Sequence, residues 1–146
     1  MDSIQYVYGI VPSTFAATTE PKGLDGAGIT RVSEGNLTAL VSHLSAQDYS
    51  PDKLEIRTGE VDWLGPRAVA HDRVVTWAGD AGPVIPFPMW TLFSGEPGVR
   101  AMLEERSNEF SKTLKSVEGT HEYAVRVFAS PAAVFRLLFR RASRNS

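Results

Sequence analysis

Apolar and polar positions change period several times along the chain, and each change marks an element. Ile4, Tyr6, Tyr8 and Ile10 alternate with Gln5, Val7, Gly9 and Val11, so both faces of this run are mostly apolar. The pattern predicts a central strand, covered on both sides and ending at Pro12. Residues 13–28 are rich in Thr, Ala, Gly and Pro and read as loop. Residues 29–33 and 37–42 are two short β-like runs joined by Glu34-Gly35-Asn36, a hairpin connection, with Leu37, Ala39 and Val41 on one face. From His43 to Thr58 the periodicity is lost, and Ser50-Pro51-Asp52 marks a turn or helix start in an exposed connection.

Helical spacing follows over residues 60–78, where Trp63, Arg67, Ala70, His71, Val74 and Trp77 or Ala78 make one stripe. Pro66 belongs in a first turn, so the regular helix is expected to start within a few residues of Asp62 and to end at Gly79-Asp80-Ala81-Gly82. Residues 82–94, G-P-V-I-P-F-P-M-W-T-L-F-S, form a dense uncharged run that predicts a buried strand. Its prolines, Pro83, Pro86 and Pro88, are expected at the strand entry, an edge or a bulge, with residues 89–93 paired normally. A second helix is predicted over 96–117, with Ser94 as N-cap, Pro97 in the first turn and Gly119 as the stop. Val99, Met102, Leu103, Phe110, Leu114 and Val117 form its apolar stripe. Tyr123, Val125 and Val127 then alternate with Ala124, Arg126 and Phe128 as a last strand. The order predicts an α+β domain over 1–129: a mainly antiparallel sheet of four to five strands with two helices packed on one face, in the ferredoxin-like manner. Residues 130–146 form a separate basic amphipathic tail, with Pro131 starting a helix that carries Val134, Phe135, Leu137, Leu138 and Phe139 before Arg140, Arg141 and Arg144.

Composition narrows the function classes. The 146 residues are 42% hydrophobic and 22% charged, which supports a packed core. A net charge of −2 and a pI near 5.9 argue against bulk attraction to nucleic acid or an anionic membrane. The absence of cysteine excludes disulfides and thiolate chemistry. No basic leader and no long apolar window stand in the sequence, so the expectation is a soluble, cytoplasmic protein with no spanning segment.

The chemistry-bearing residues do not assemble into a catalytic set. His43, His71 and His121 lack metal-ligand spacing, and His71, beside the buried stripe, reads as a packed, hydrogen-bonded ring rather than a general base. Glu55, Glu60 and Asp62 read as a solvated, helix-starting acidic patch. Gly23, Gly26 and Gly28 lack the order of a phosphate loop, and no nucleophile elbow or Walker loop is present. Tyr6, Tyr8, Tyr123 and Phe128 offer base-stacking rings on strands, yet core packing accounts for them without RNA. The tail fits a membrane surface, a partner, or the chain's own sheet.

Five motifs stand in a telling order. They are Tyr6-Val7-Tyr8-Gly9-Ile10-Val11; Gly28-Ile29, Val32 and Gly35-Asn36-Leu37-Thr38-Ala39-Leu40-Val41-Ser42; Ala70-His71-Asp72-Arg73-Val74-Val75; Pro83-Val84-Ile85-Pro86; and Thr91-Leu92-Phe93. This series resembles the gas vesicle protein GvpL/GvpF family: its first strand, its L-x-A-L-V-S hairpin, its A-H-E-x-V-L helix, and its P-V-L-P followed by T-V-F. Leu103, Leu114, Gly119 and Glu122 fall where the second helix and next strand would place them, and the likeness spans about residues 4–128. Two departures stand out. Pro88-Met89-Trp90 occupies the place where the family commonly has R-F-G, and family members usually continue into a second α+β domain.

The resemblance implies a non-enzymatic accessory or structural protein of gas vesicle assembly, without a cofactor. It implies binding to the hydrophobic shell protein and other accessory proteins, and leaves room for self-association. Trp63, Trp77, Trp90 and the tail suit an apolar partner. Trp90 is the first candidate contact residue, with burial in the core as its competing reading, and Phe135, Phe139, Arg140 and Arg141 of the tail are the other candidates. The competing reading is a ferredoxin-like small-molecule-binding or regulatory module.

Overall fold

The computed structural model describes residues 3–118. The expected last strand, the tail and the boundary between them at 129 and 130 lie outside the described residues.

The two-faced strand forms as β1 (Ser3–Pro12). β2 (Thr30–Glu34) and β3 (Leu37–Ser45) make the expected hairpin, turning at Gly35-Asn36, where Gly35 adopts a φ of 62° that glycine takes without steric cost. β3 pairs antiparallel with β1 along its length, from Ser3 opposite Ser45 to Pro12 opposite Leu37. The ladder slips once, between Val7 and Gly9. This bulge reverses the alternation of β1. Tyr6 and Tyr8 point to one face, but beyond the bulge Val11 takes that face and Ile10 joins Val7 on the other. A strict period of two puts Ile10 with the tyrosines; the bulge explains why it is not there.

Helix structure begins earlier than expected. α1 (Pro51–Arg57) occupies part of the expected connection, with the Ser50 side chain accepting the Lys53 N–H and Pro51 at the first helical position. α2 (Val61–Ala81) starts where expected but carries Pro66 as its sixth residue, in the second turn rather than the first, and runs through Gly79 and Asp80 to Ala81.

The apolar run 82–94 is not one continuous strand. It forms β4 (Ile85–Pro86) and β5 (Leu92–Phe93), both antiparallel to the same edge of β1. Two backbone bonds hold the ends of the interruption, Phe87 N–H to the Tyr8 carbonyl (2.9 Å) and Val7 N–H to the Thr91 carbonyl (3.0 Å). Between them residues 88–90 leave the ladder; Pro88 has no N–H to offer it, and the Thr91 hydroxyl closes the loop onto the Pro88 carbonyl at 2.7 Å. The resulting strand order is β2-β3-β1-β4, with β5 also on β1.

The expected second helix is broken. α3 (Glu96–Glu105) and α4 (Ser107–Glu118) meet at Arg106, which leaves helical conformation and turns its guanidinium to the Glu109 carboxylate and the Phe110 ring. Gly95, not Ser94, precedes the first turn, and no side chain caps it.

The α+β class and the antiparallel sheet agree with the sequence reading, but the helices divide between the faces instead of sharing one. Tyr6, Tyr8, Leu40 and Leu44 pack with Ala70, Val74 and Ala78 of α2. Val7, Ile10, Val32, Leu37, Ala39 and Val41 pack with Val99, Met102 and Leu103 of α3 and with Phe110 and Leu114 of α4. The cause is the apolar patterning of both faces of β1 and β3, since one layer of helices would leave the other face in water.

Gly9 makes the close approach of β4 feasible, because a Cβ there would lie 2.6 Å from the Ile85 carbonyl oxygen. Gly9→Ala is expected to destabilise the domain by about 1–3 kcal/mol, seen as a lower urea midpoint. An unchanged midpoint would show that β4 does not sit this close.

Candidate functional site

The residues singled out by sequence meet on the α2 side of the sheet. His71 is 5% exposed and faces β1 from the middle of α2. Its Nε2 lies 2.9 Å from the Phe87 carbonyl oxygen, which can only accept, so Nε2 carries the proton. Nδ1 is then the acceptor of the Tyr6 hydroxyl at 2.7 Å. The ring is thereby committed at both nitrogens and bridges α2, β1 and the start of the 87–91 loop. Burial holds its pKa down at about 4, only partly offset by the bond to Phe87. Burial also raises the Tyr6 and Tyr8 hydroxyls above their ordinary value.

A second chain of bonds runs beside it. Tyr8 donates to Ser42 Oγ (2.8 Å), Ser42 donates to the Gly28 carbonyl (2.9 Å), and the Leu24 N–H donates to the Tyr8 hydroxyl (3.0 Å). This anchors the 23–28 loop on the sheet and leaves the Ser42 hydroxyl occupied rather than poised as a nucleophile.

Trp90 lies in the core at 7% exposure, not on the surface expected of a leading contact residue. Its ring stacks on Trp63 with centroids 5.5 Å apart and meets Tyr6 edge-on at 5.8 Å. The backbone there has a φ of 67°, a left-handed conformation, at the position where the resemblance would put glycine. Among the described residues its Nε1 has no hydrogen-bond partner. Ring packing thus holds Trp90 against backbone strain and an unmet donor.

Above this stack is a cluster that the sequence reading missed. Arg67 sits 4.1 Å over the Trp63 ring, pairs with Asp25 at 2.9 Å and donates through Nε to the Tyr49 hydroxyl at 3.0 Å. Tyr49 in turn donates to Asp25. Burial and the neighbouring Asp25 carboxylate push the Tyr49 hydroxyl up to about 12. The three residues come from a loop, the approach to α1, and α2, so no spacing in the sequence could have joined them.

Other candidates are dispersed. His43 is exposed on β3, and His121 lies outside the described residues. Tyr6 and Tyr8 are fully buried and present no face to a base. Trp63 and Trp77 are half-buried, Trp77 donating to the Thr18 carbonyl. Glu60 pairs with Arg57 at 3.7 Å. Phe135, Phe139, Arg140 and Arg141 lie outside the described residues. Among the described residues no cluster of three or more His, Asp or Glu side chains could hold a metal, and no helix is long and apolar enough to cross a membrane. What the arrangement supplies is a locked aromatic core beneath a polar and partly apolar helical surface.

Comparison with known proteins adds what the geometry does not. Residues 5–144 match the family described as gas vesicle synthesis protein GvpL/GvpF. The chain is 29% identical over 133 residues to gas vesicle protein L of Streptomyces sp. (strain CB03234), covering 90% of this chain and 50% of that protein. It is 28% identical over 134 residues to gas vesicle protein F of the same organism, covering 88% and 50%. It therefore spans about half the length of the curated relatives it matches. The crystal structure of gas vesicle protein GvpF from Anabaena sp. PCC7120 superposes with a TM-score of 0.58 at 21% identity, over 80% of this chain and 44% of that one. At that identity the likeness speaks for the fold.

Two measurements test the core of the site. His71 stays neutral in the fold down to about pH 4, whereas its ordinary value is 6.5, so between these values the unfolded chain binds more protons. Stability should fall as pH drops through that window, by about 3 kcal/mol in total, and urea titrations of His71→Leu should lack that component. Parallel pH profiles for the two proteins would contradict the neutral, buried ring. Trp90→Gly relieves about 1–2 kcal/mol of backbone strain but loses about 3–5 kcal/mol of packing, so it should be less stable by roughly 1–4 kcal/mol. An equally stable or more stable variant would place the strain above the packing.

Proposed function

The chain belongs to the gas vesicle GvpL/GvpF family, and on that footing we propose that it acts in gas vesicle assembly as a non-enzymatic accessory protein in the cytoplasm. The family match over residues 5–144 carries this reading. The site supports it: the buried histidine and the Ser42 hydroxyl are both spent on holding the fold together. The partners are the small hydrophobic shell protein and other accessory proteins. The protein shields apolar shell subunits from aggregation and presents them to a growing vesicle edge.

Residues 130–146 form the contact element, with Phe135 and Phe139 entering apolar surface and Arg140 and Arg141 at its rim. Trp90, seated in the core, supports the fold and makes no direct contact in this account.

The test is retention of freshly solubilised shell protein on the tagged full chain and on a version ending at Ala129, with light scattering to follow shell aggregation. The expected result is retention and reduced scattering with the full chain and loss of both with the shortened one. Retention by both would move the contact to the α+β domain. Failure of both to bind or to alter aggregation would end the shell-binding reading.

A further inference from the structure

We infer that, in the free chain, residues 131–144 dock on the outer surface formed by α1 and the first half of α2. This concerns the chain before it meets any partner and does not rest on the shell-binding reading.

The first observation is a group of large apolar side chains left exposed. Ile56, Val61 and Val69 are 68%, 81% and 58% exposed, and they sit on two consecutive helices whose other large apolar side chains face inward. They are the exposed large apolar side chains among the described residues, and all three fall within residues 56–69. The sequence held a trace of this, since Val61 and Val69 are apolar positions outside the buried stripe of α2.

The second observation is charge. Asp52, Glu55, Asp62 and Asp72 are exposed on the same helices, and no ion pair forms with any of them among the described residues. The basic residues of residues 51–72 do not offset them: Arg57 is paired with Glu60 and Arg67 with Asp25, leaving Lys53. Residues 131–146 hold four arginines and no acid; with a net charge of −2 for the whole chain, the residues before them carry −6. At helical spacing Arg136, Arg140 and Arg144 share one side, opposite Val134, Phe135, Leu138 and Phe139. Exposed apolar side chains with acidic neighbours on α1 and α2 thus match an apolar stripe with basic neighbours in the same chain.

The third observation is room and reach. Both faces of the sheet are covered, one by α2 and the other by α3 and α4, so neither face is open to the tail. The described chain ends at Glu118 on the α4 side. The twelve residues 119–130 span up to about 40 Å when extended, against a diameter of roughly 35 Å for a domain of this size. They can pass around the sheet edge to the α2 side.

The chain has no cysteine, so Ser143→Cys gives the full-length protein a single site for a nitroxide label. Paramagnetic broadening of backbone amide signals then locates the tail. The expected result is loss of roughly half or more of the signal for the exposed residues of 51–72, with β2, α3 and α4 unaffected. Raising salt to about 0.5 M, or the triple change Glu55→Lys, Asp62→Lys, Asp72→Lys, should reduce that loss at least about twofold. Phe135→Asp, a change outside the described domain, should do the same and separates release of the tail from damage to the fold. Broadening centred elsewhere, or none, would overturn the inference. So would broadening that appears only in an unlabelled copy mixed with the labelled one, which would make a second chain the occupant.

Discussion

Burying both faces of a single strand requires two covers, and β1 is built so that neither face tolerates water. Tyr6, Tyr8 and Val11 need one layer, and Val7 and Ile10 need another. Helices confined to one side would leave Val7, Ile10, Ala39 and Val41 exposed, so α2 goes to one face and α3 with α4 to the other. The bulge at Tyr8 adjusts which residue faces which layer, and Gly9 lets the neighbouring backbone close against it.

The α2 face carries polar atoms into this core, and the structure resolves most of them by pairing. Tyr6, His71 and the Phe87 carbonyl form one closed set; Tyr8, Ser42, Leu24 and Gly28 form another. Each set ties a loop to the sheet, so hydrogen bonding here serves position more than net stability. Trp90 is the exception, strained at its backbone and, among the described residues, without a partner at Nε1, yet gripped by Trp63, Tyr49 and Tyr6.

The elements with strong local signals were legible: the alternation of β1, the glycine turn of the hairpin, the stripe of α2, and the packed rather than catalytic character of His71. What escaped depended on contacts distant in sequence. A bulge leaves no mark in a run that is apolar on both sides, so Ile10 and Val11 were interchanged. Residues 85–93 looked continuous because hydrophobicity reports burial, and both a strand and a loop tucked under a helix are buried. The partnership of Asp25, Tyr49 and Arg67 exists only once three segments have been brought together. For Trp90, interface enrichment and core burial compete in the sequence, and the rings of Trp63, Tyr49 and Tyr6 decide for the core. The functional direction came from ordered motifs rather than from any constellation of side chains.

β1, the core of α2 and residues 87–91 form one cooperative unit latched through His71. Native-state hydrogen exchange on the full chain addresses it directly. The Phe87 and Val7 amides, which bond to Tyr8 and Thr91 across the interruption, should exchange with the same opening free energy as the β1–β3 ladder. In Tyr6→Phe all of them should drop together by about 1–3 kcal/mol. Rapid exchange at Phe87 and Val7, with the ladder still protected, would contradict the account, because the segment would then open on its own.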